Sequence, residues 1–169
     1  AAQAFINKLD GGILSRAEME IGSDGSGLLI TLLRKNVSKY YRGEELTIID
    51  GSPGIGCPVI ASITGSDAVL IVTEPTQSGL LDLKRVVELS RQFDIDPMIC
   101  INKYDINENM SEEIENFAEK ENLKIVGKIL YDYMVMESIH ELKPIIYYDN
   151  SIAAEAIRDM WTNMKNLVF

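Results

Sequence analysis

Several polar residues stand where short apolar runs end, and their types suit nucleotide chemistry. Asp50 closes LTIID, Thr73-Glu74-Pro75-Thr76 follows AVLIV, Asn102-Lys103-Tyr104-Asp105 follows PMICI, and Asp132 follows KIVGKIL by one residue. A carboxylate at the end of a dry strand can face Mg2+, commonly through a water, beside the phosphates of a nucleotide. The same carboxylate can equally be the polar end of a buried strand, so the type alone leaves both readings open for Asp50. The NKYD run, Asn102 to Asp105, offers an amide and a carboxylate that can hydrogen-bond a purine edge, and a lysine stem that can pack on the base. Behind Asp50 the loop GSPGIG is dense in Gly and Pro, a composition that can move with a γ-phosphate. No G-x-x-x-x-G-K-S/T run is present, so the backbone cradle and lysine that grip phosphate are not in this sequence.

Alternating elements are needed to bring these ends together. LTIID (46–50), AVLIVT (68–73), PMICIN (97–102), KIVGKIL (124–130) and PIIYY (144–148) read as strands, the first four apolar on both faces as in a parallel sheet covered by helices. Between them, Leu80, Leu83, Val87 and Ser90 trace a helix over 77–93, with Thr76 or Ser78 as its cap. Asn109 or Ser111 is expected to cap a helix through 121, and a last helix starts after Ser151. The pattern predicts an α/β class: a doubly wound, mostly parallel sheet with helices on both faces. Residues 1–169 read as one domain, with 1–24 an irregular or hairpin lead-in turning at DGG and 25–169 the core. A glycine-rich stretch, GSDGSG (22–27), leads into a helix on which Leu28, Leu29, Leu32, Leu33, Val37 and Tyr40 recur.

Bulk properties narrow the chemistry further. A chain of 169 residues with 46% apolar content can bury one core, and its formal charge of −10 disfavours nucleic acid as a partner. The basic residues Arg34, Lys35, Lys39 and Arg42 cluster locally, which reads first as a solvated helix face. No run approaches a membrane span, and a cytoplasmic location is expected. The opening Ala1-Ala2-Gln3, without a methionine, is what a piece of a longer protein would show. One histidine, His140, and two cysteines cannot assemble a His-based zinc site or a disulfide scaffold. Cys100 lies in an apolar run as a small hydrophobe, whereas Cys57 lies beside the glycine loop.

The runs IIDGSPGIGCPVIASITGSDAVLIVTEPTQSGLLDLKRVVEL and CINKYDIN strongly resemble the MinD/ParA-like P-loop ATPases that carry an inserted ferredoxin domain, relatives of Mrp and the nitrogenase iron proteins. The likeness runs from about Gly22 to the C-terminus. It implies a P-loop NTPase-like fold here lacking its first strand, the phosphate loop and the ferredoxin insert. It makes Asp50 the Walker B acid on the Mg2+ side, and Gly51, Ser52, Pro53, Gly54 and Gly56 the switch loop. Asn102, Lys103, Asp105, Tyr131 and Asp132 become the nucleotide-binding residues. Cys57 stands at the offset of a cluster-ligating cysteine, so a 4Fe–4S cluster is implied that this chain alone does not complete. ATP and Mg2+ are the implied ligands of the intact protein, which would be a homodimer with an iron–sulfur or redox partner. The expected function is the nucleotide-binding portion of an ATPase tied to iron–sulfur electron transfer or cluster handling. Because the phosphate lysine is absent, this chain alone is expected to be inactive. A non-catalytic α/β interaction module is the alternative, and a GTPase based on NKYD is a weaker third reading.

Overall fold

The computed structural model describes residues 2–9, 11–20, 26–40, 43 and 46–169. They fall into two compact units, Ala1–Ser66 and Asp67–Phe169. Arg42 and most of the GSDGSG stretch lie outside the described residues.

The first unit opens with an antiparallel hairpin of β1 (Ala2–Leu9) and β2 (Gly12–Met19), paired from Ala2↔Met19 to Leu9↔Gly12. Gly11 in the turn has φ +90°, a backbone region glycine enters without steric cost. Helix α1 (Gly27–Tyr40) follows, as the leucine spacing predicts, but none of its residues is fully buried. Helix α2 (Cys57–Ile63) begins at Cys57-Pro58, where proline's missing N–H is harmless. Arg34 reaches from α1 to the far end of α2. Its Nη1 donates to the carbonyls of Ala61 (2.7 Å), Ser62 (3.3 Å) and Thr64 (2.5 Å). This cation therefore satisfies the orphan carbonyls of a helix C-terminus, where positive charge is favoured.

Two expected strands are not formed. Leu46 to Asp50 carries no regular structure, and Ile48 is 77% exposed. PIIYY instead forms a short 3-10 turn at Ile145–Tyr147. Short apolar runs become strands only when a neighbour accepts their backbone hydrogen bonds, and no such pairing is made at either place among the described residues.

In the second unit, β3 (Leu70–Thr73), β4 (Met98–Asn102) and β5 (Lys124–Ile129) form a parallel sheet in the order β3-β4-β5. Among the described residues β3 is paired on its β4 side alone, the open edge expected of a sheet lacking a strand. The side chains of β4 alternate between two cores. Ile99 and Ile101 pack with Ile71 against Leu83 and Val87 of α3 (Gln77–Arg91) and Ile114 and Ala118 of α4 (Glu108–Lys120). Cys100 faces the other way, with Ile129, against Ala153, Ile157 and Met160 of α6 (Ile152–Val168). Helices thus cover both faces, as the two-sided apolar pattern requires. A Cβ on Gly127 would lie 2.7 Å from Met160, so glycine here is what lets α6 come down on β5. The pairing steps from Ile99↔Ile125 to Cys100↔Gly127, and the Val126 carbonyl accepts instead from Asn163 Nδ2 at 3.0 Å.

The helix caps follow side-chain chemistry. Thr76 Oγ1 accepts from Gly79 N (2.9 Å), and Ser151 Oγ accepts from Ala154 N (3.0 Å). Helix α4 starts earlier than Asn109 or Ser111 would place it. Asn107 Oδ1 caps it at Met110 N (3.2 Å), and the Ser111 hydroxyl donates to the Tyr104 carbonyl (2.6 Å). Helix α5 (Met134–His140) has too short a pattern to be read from sequence.

Candidate functional site

The polar groups of the second unit gather beyond the carboxyl ends of β3 and β4, where open parallel sheets bind ligands. The turn after β3 is rigid for stated reasons. Pro75 is fully buried, and a Cβ on Gly79 would lie only 2.3 Å from the Glu74 carbonyl oxygen. The TEPTQSG run therefore needs its threonine cap and its glycine to fold the α3 N-terminus against the strand end.

From that turn Glu74 Oε1 accepts from Lys103 Nζ at 2.8 Å and from Asn102 Nδ2 at 3.5 Å. The hydrogen bond to Glu74 and its charge hold the Lys103 ammonium above the usual lysine range. Lys103 takes a left-handed backbone, φ 52°, an uncommon state for a side-chain-bearing residue that turns the chain sharply after β4. Asp105, in the Tyr104–Ile106 turn, accepts the Tyr131 N–H at Oδ1 (2.7 Å). The NKYD turn is so tied to the segment after β5, and Tyr131 stands half exposed beside it. Asn102, Lys103, Asp105 and Tyr131 are thus brought together. Glu74, absent from the expected site residues, joins them, and its signal was the polar TEPT strand end.

Asp132 holds two helix starts. Its Oδ1 accepts from Met134 N (2.9 Å), and its Oδ2 from Ser151 Oγ (2.6 Å) and Ala153 N (3.1 Å). Burial works to raise this carboxyl, but the Ser151 hydroxyl and the backbone N–H groups outweigh it and hold it below the usual range. Both oxygens pin the starts of α5 and α6.

In the first unit Asp50 is exposed at the end of an irregular segment. The loop after it, Gly51 to Gly56, contains Gly54 at φ +88° and leads into α2. Cys57 is an exposed free thiol at the start of α2, and a Cβ on Gly27 would meet its carbonyl oxygen at 3.0 Å. The other cysteine, Cys100, is buried, and burial pushes its thiol up to about 11, so it acts as core and not as ligand. Among the described residues no group of three His, Cys, Asp or Glu could hold a metal ion. No described helix is long and apolar enough to cross a membrane.

No family model matches the chain. An uncharacterized Methanocaldococcus jannaschii protein is 32% identical over 151 residues, covering 89% of this chain and 50% of that protein. The iron–sulfur cluster carrier protein of Pyrococcus furiosus is 28% identical over 158 residues, covering 83% of this chain and 52% of the relative. Among solved structures, the MinD cell division protein of Aquifex aeolicus superposes with a TM-score of 0.67 at 18% identity, over 83% of this chain and 61% of that one. A Pyrococcus horikoshii MinD solved with Mg-ADP gives 0.65 at 17% identity, over 84% and 58%. By sequence the chain is similar to an iron–sulfur cluster carrier protein, and it shares the P-loop NTPase-like α/β fold of the MinD structures. It spans about half the length of the curated relatives it matches. The parallel sheet of the second unit, covered by helices on both faces, fits the α/β fold of those MinD structures, and the NKYD cluster lies at a strand end, where open parallel sheets bind ligands.

Proposed function

We propose that the chain is the nucleotide-binding portion of a MinD-like ATPase that serves iron–sulfur electron transfer or cluster handling. The observation that carries this reading is the cluster of Asn102, Lys103, Asp105 and Tyr131, tied together across two strand ends. The amide of Asn102 meets the purine edge, the Lys103 stem covers one side of the ring, and the Tyr131 ring borders it. Asp50 supplies the acid for Mg2+, which keeps most of its waters and needs few protein carboxylates. The loop Gly51 to Gly56 answers the γ-phosphate, and Asp132 stabilises the base side through the helices it pins. Cys57 contributes a thiolate to a 4Fe–4S cluster completed by residues beyond this chain. The working protein is a cytoplasmic homodimer, and residues 1–169 act as one domain within it.

The phosphate grip is the missing contribution. Without a P-loop lysine, this chain holds ATP mainly by base contacts, with affinity of about 1 mM, or about −4 kcal/mol. Titrating the isotopically labelled chain with Mg-ATP should shift the Asn102 side-chain amide and the Tyr131 backbone amide in nuclear magnetic resonance spectra. No shift at either group up to about 10 mM overturns the reading in favour of a non-catalytic α/β interaction module.

A further inference from the structure

Glu74 makes two contacts that no nucleotide is needed to explain, yet their combination sets what the base edge meets. A carboxylate is acceptor-only, so an Asn side chain facing it must present its NH2 group. Glu74 Oε1 stands 3.5 Å from Asn102 Nδ2 and is itself held by Lys103 Nζ at 2.8 Å. The amide is thereby turned one way round. Its Oδ1 points away from Glu74 and accepts no hydrogen bond among the described residues. The backbone carrying Glu74 is closely packed, with Pro75 buried and Gly79 against the Glu74 carbonyl. An exposed ion pair contributes little to stability, so this rigidity is not needed for a stabilising Glu74–Lys103 pair.

Resting on the base-side reading above, we propose that Glu74 is a specificity-positioning residue that selects 6-amino over 6-oxo purines by fixing the Asn102 amide. A free Oδ1 accepts from the exocyclic N6–H2 of adenine, while the second Nδ2 hydrogen remains for the adjoining ring nitrogen. A 6-oxo purine sets its own acceptor against Oδ1. Turning the amide to suit it would place Oδ1 against the Glu74 carboxylate, leaving two acceptors facing each other.

The test uses adenosine and inosine, which differ at the 6-position and need no phosphate grip. Titrated into the labelled chain, adenosine should shift the Asn102 side-chain amide with at least about tenfold higher affinity than inosine. Glu74→Gln keeps the shape but can either donate or accept, so the amide turns freely and the ratio should fall below about threefold. Lys103→Met should weaken both nucleosides and keep the ratio, since Glu74 still faces the amide. The thermal midpoint of Glu74→Gln should stay within about 3 °C of the parent, which separates orientation from folding. A ratio unchanged in Glu74→Gln while adenosine still binds overturns the positioning role alone. Failure of both nucleosides to shift Asn102 overturns the base-side reading and this proposal with it.

Discussion

In the Asp67–Phe169 unit, Ile99, Cys100 and Ile101 on β4 have no solvent exposure, and helices close over both faces of the sheet. In the Ala1–Ser66 unit, Val59, Ser62 and Ile63 are the only buried residues among those described. Each unit carries some of the residues proposed for nucleotide chemistry, so the contrast bears on function. The residues proposed to meet the base stand at strand ends backed by a two-sided core, and hydrogen bonds from Lys103 to Glu74 and from Tyr131 to Asp105 tie them to neighbouring segments. Asp50 stands on a segment with exposed Ile48 and no strand pairing. Apolar burial at about 25 cal/mol per Å2 is the main source of local rigidity, and the first unit has little of it. Groups that move with a ligand are drawn from regions of low local stability, and the loop proposed to answer the γ-phosphate lies in the unit with fewer buried residues.

Hydrogen exchange tests this contrast over the widest range. Amides of β4 should exchange only through global unfolding, and those of α1 at least about 100-fold faster through local opening. Equal protection in β4 and α1 would erase the distinction. Core truncation sharpens it in energy. Leu83→Ala, at a site 1% exposed between α3 and the sheet, should cost about 3–4 kcal/mol in denaturant unfolding. A loss below about 1 kcal/mol would mean that the second unit is packed no better than the first.

The smallest of these effects concerns Asp132. Asp132→Asn should cost about 2 kcal/mol near neutral pH, because a charged acceptor of three hydrogen bonds becomes neutral and carries one oxygen fewer. The folded carboxyl is depressed below its ordinary 3.8, so its contribution is present above that value and lost as pH falls through the folded one. The parent and the variant should therefore converge in stability once the pH has fallen through the folded carboxyl's titration, measured by thermal unfolding. Parallel stability curves through the acid range would show that the carboxylate is not the stabilising species.

Much of the second unit was legible because its signals are local. The period of Leu80, Leu83 and Val87, the Thr76 and Ser151 caps and the two-sided apolar runs at β4 and β5 each depend on neighbours in sequence. The hairpin was legible from DGG for the same reason. LTIID and PIIYY misled because a β-prone run is a strand only when another backbone pairs with it, and that partner is not encoded nearby. Asp132 was read by position at a strand end, whereas its partners Ser151 and Ala153 lie far along the chain.

The fold class, the hairpin, the main helices and the residue types at the strand ends are properties of the sequence, since periodicity and capping act over a few residues. Which carboxylate pins helices, which turns an amide, and which stands exposed was decided by the tertiary structure. A carboxylate's role depends on the donors that folding brings within hydrogen-bond distance, and Glu74, Asp132 and Asp50 meet different ones.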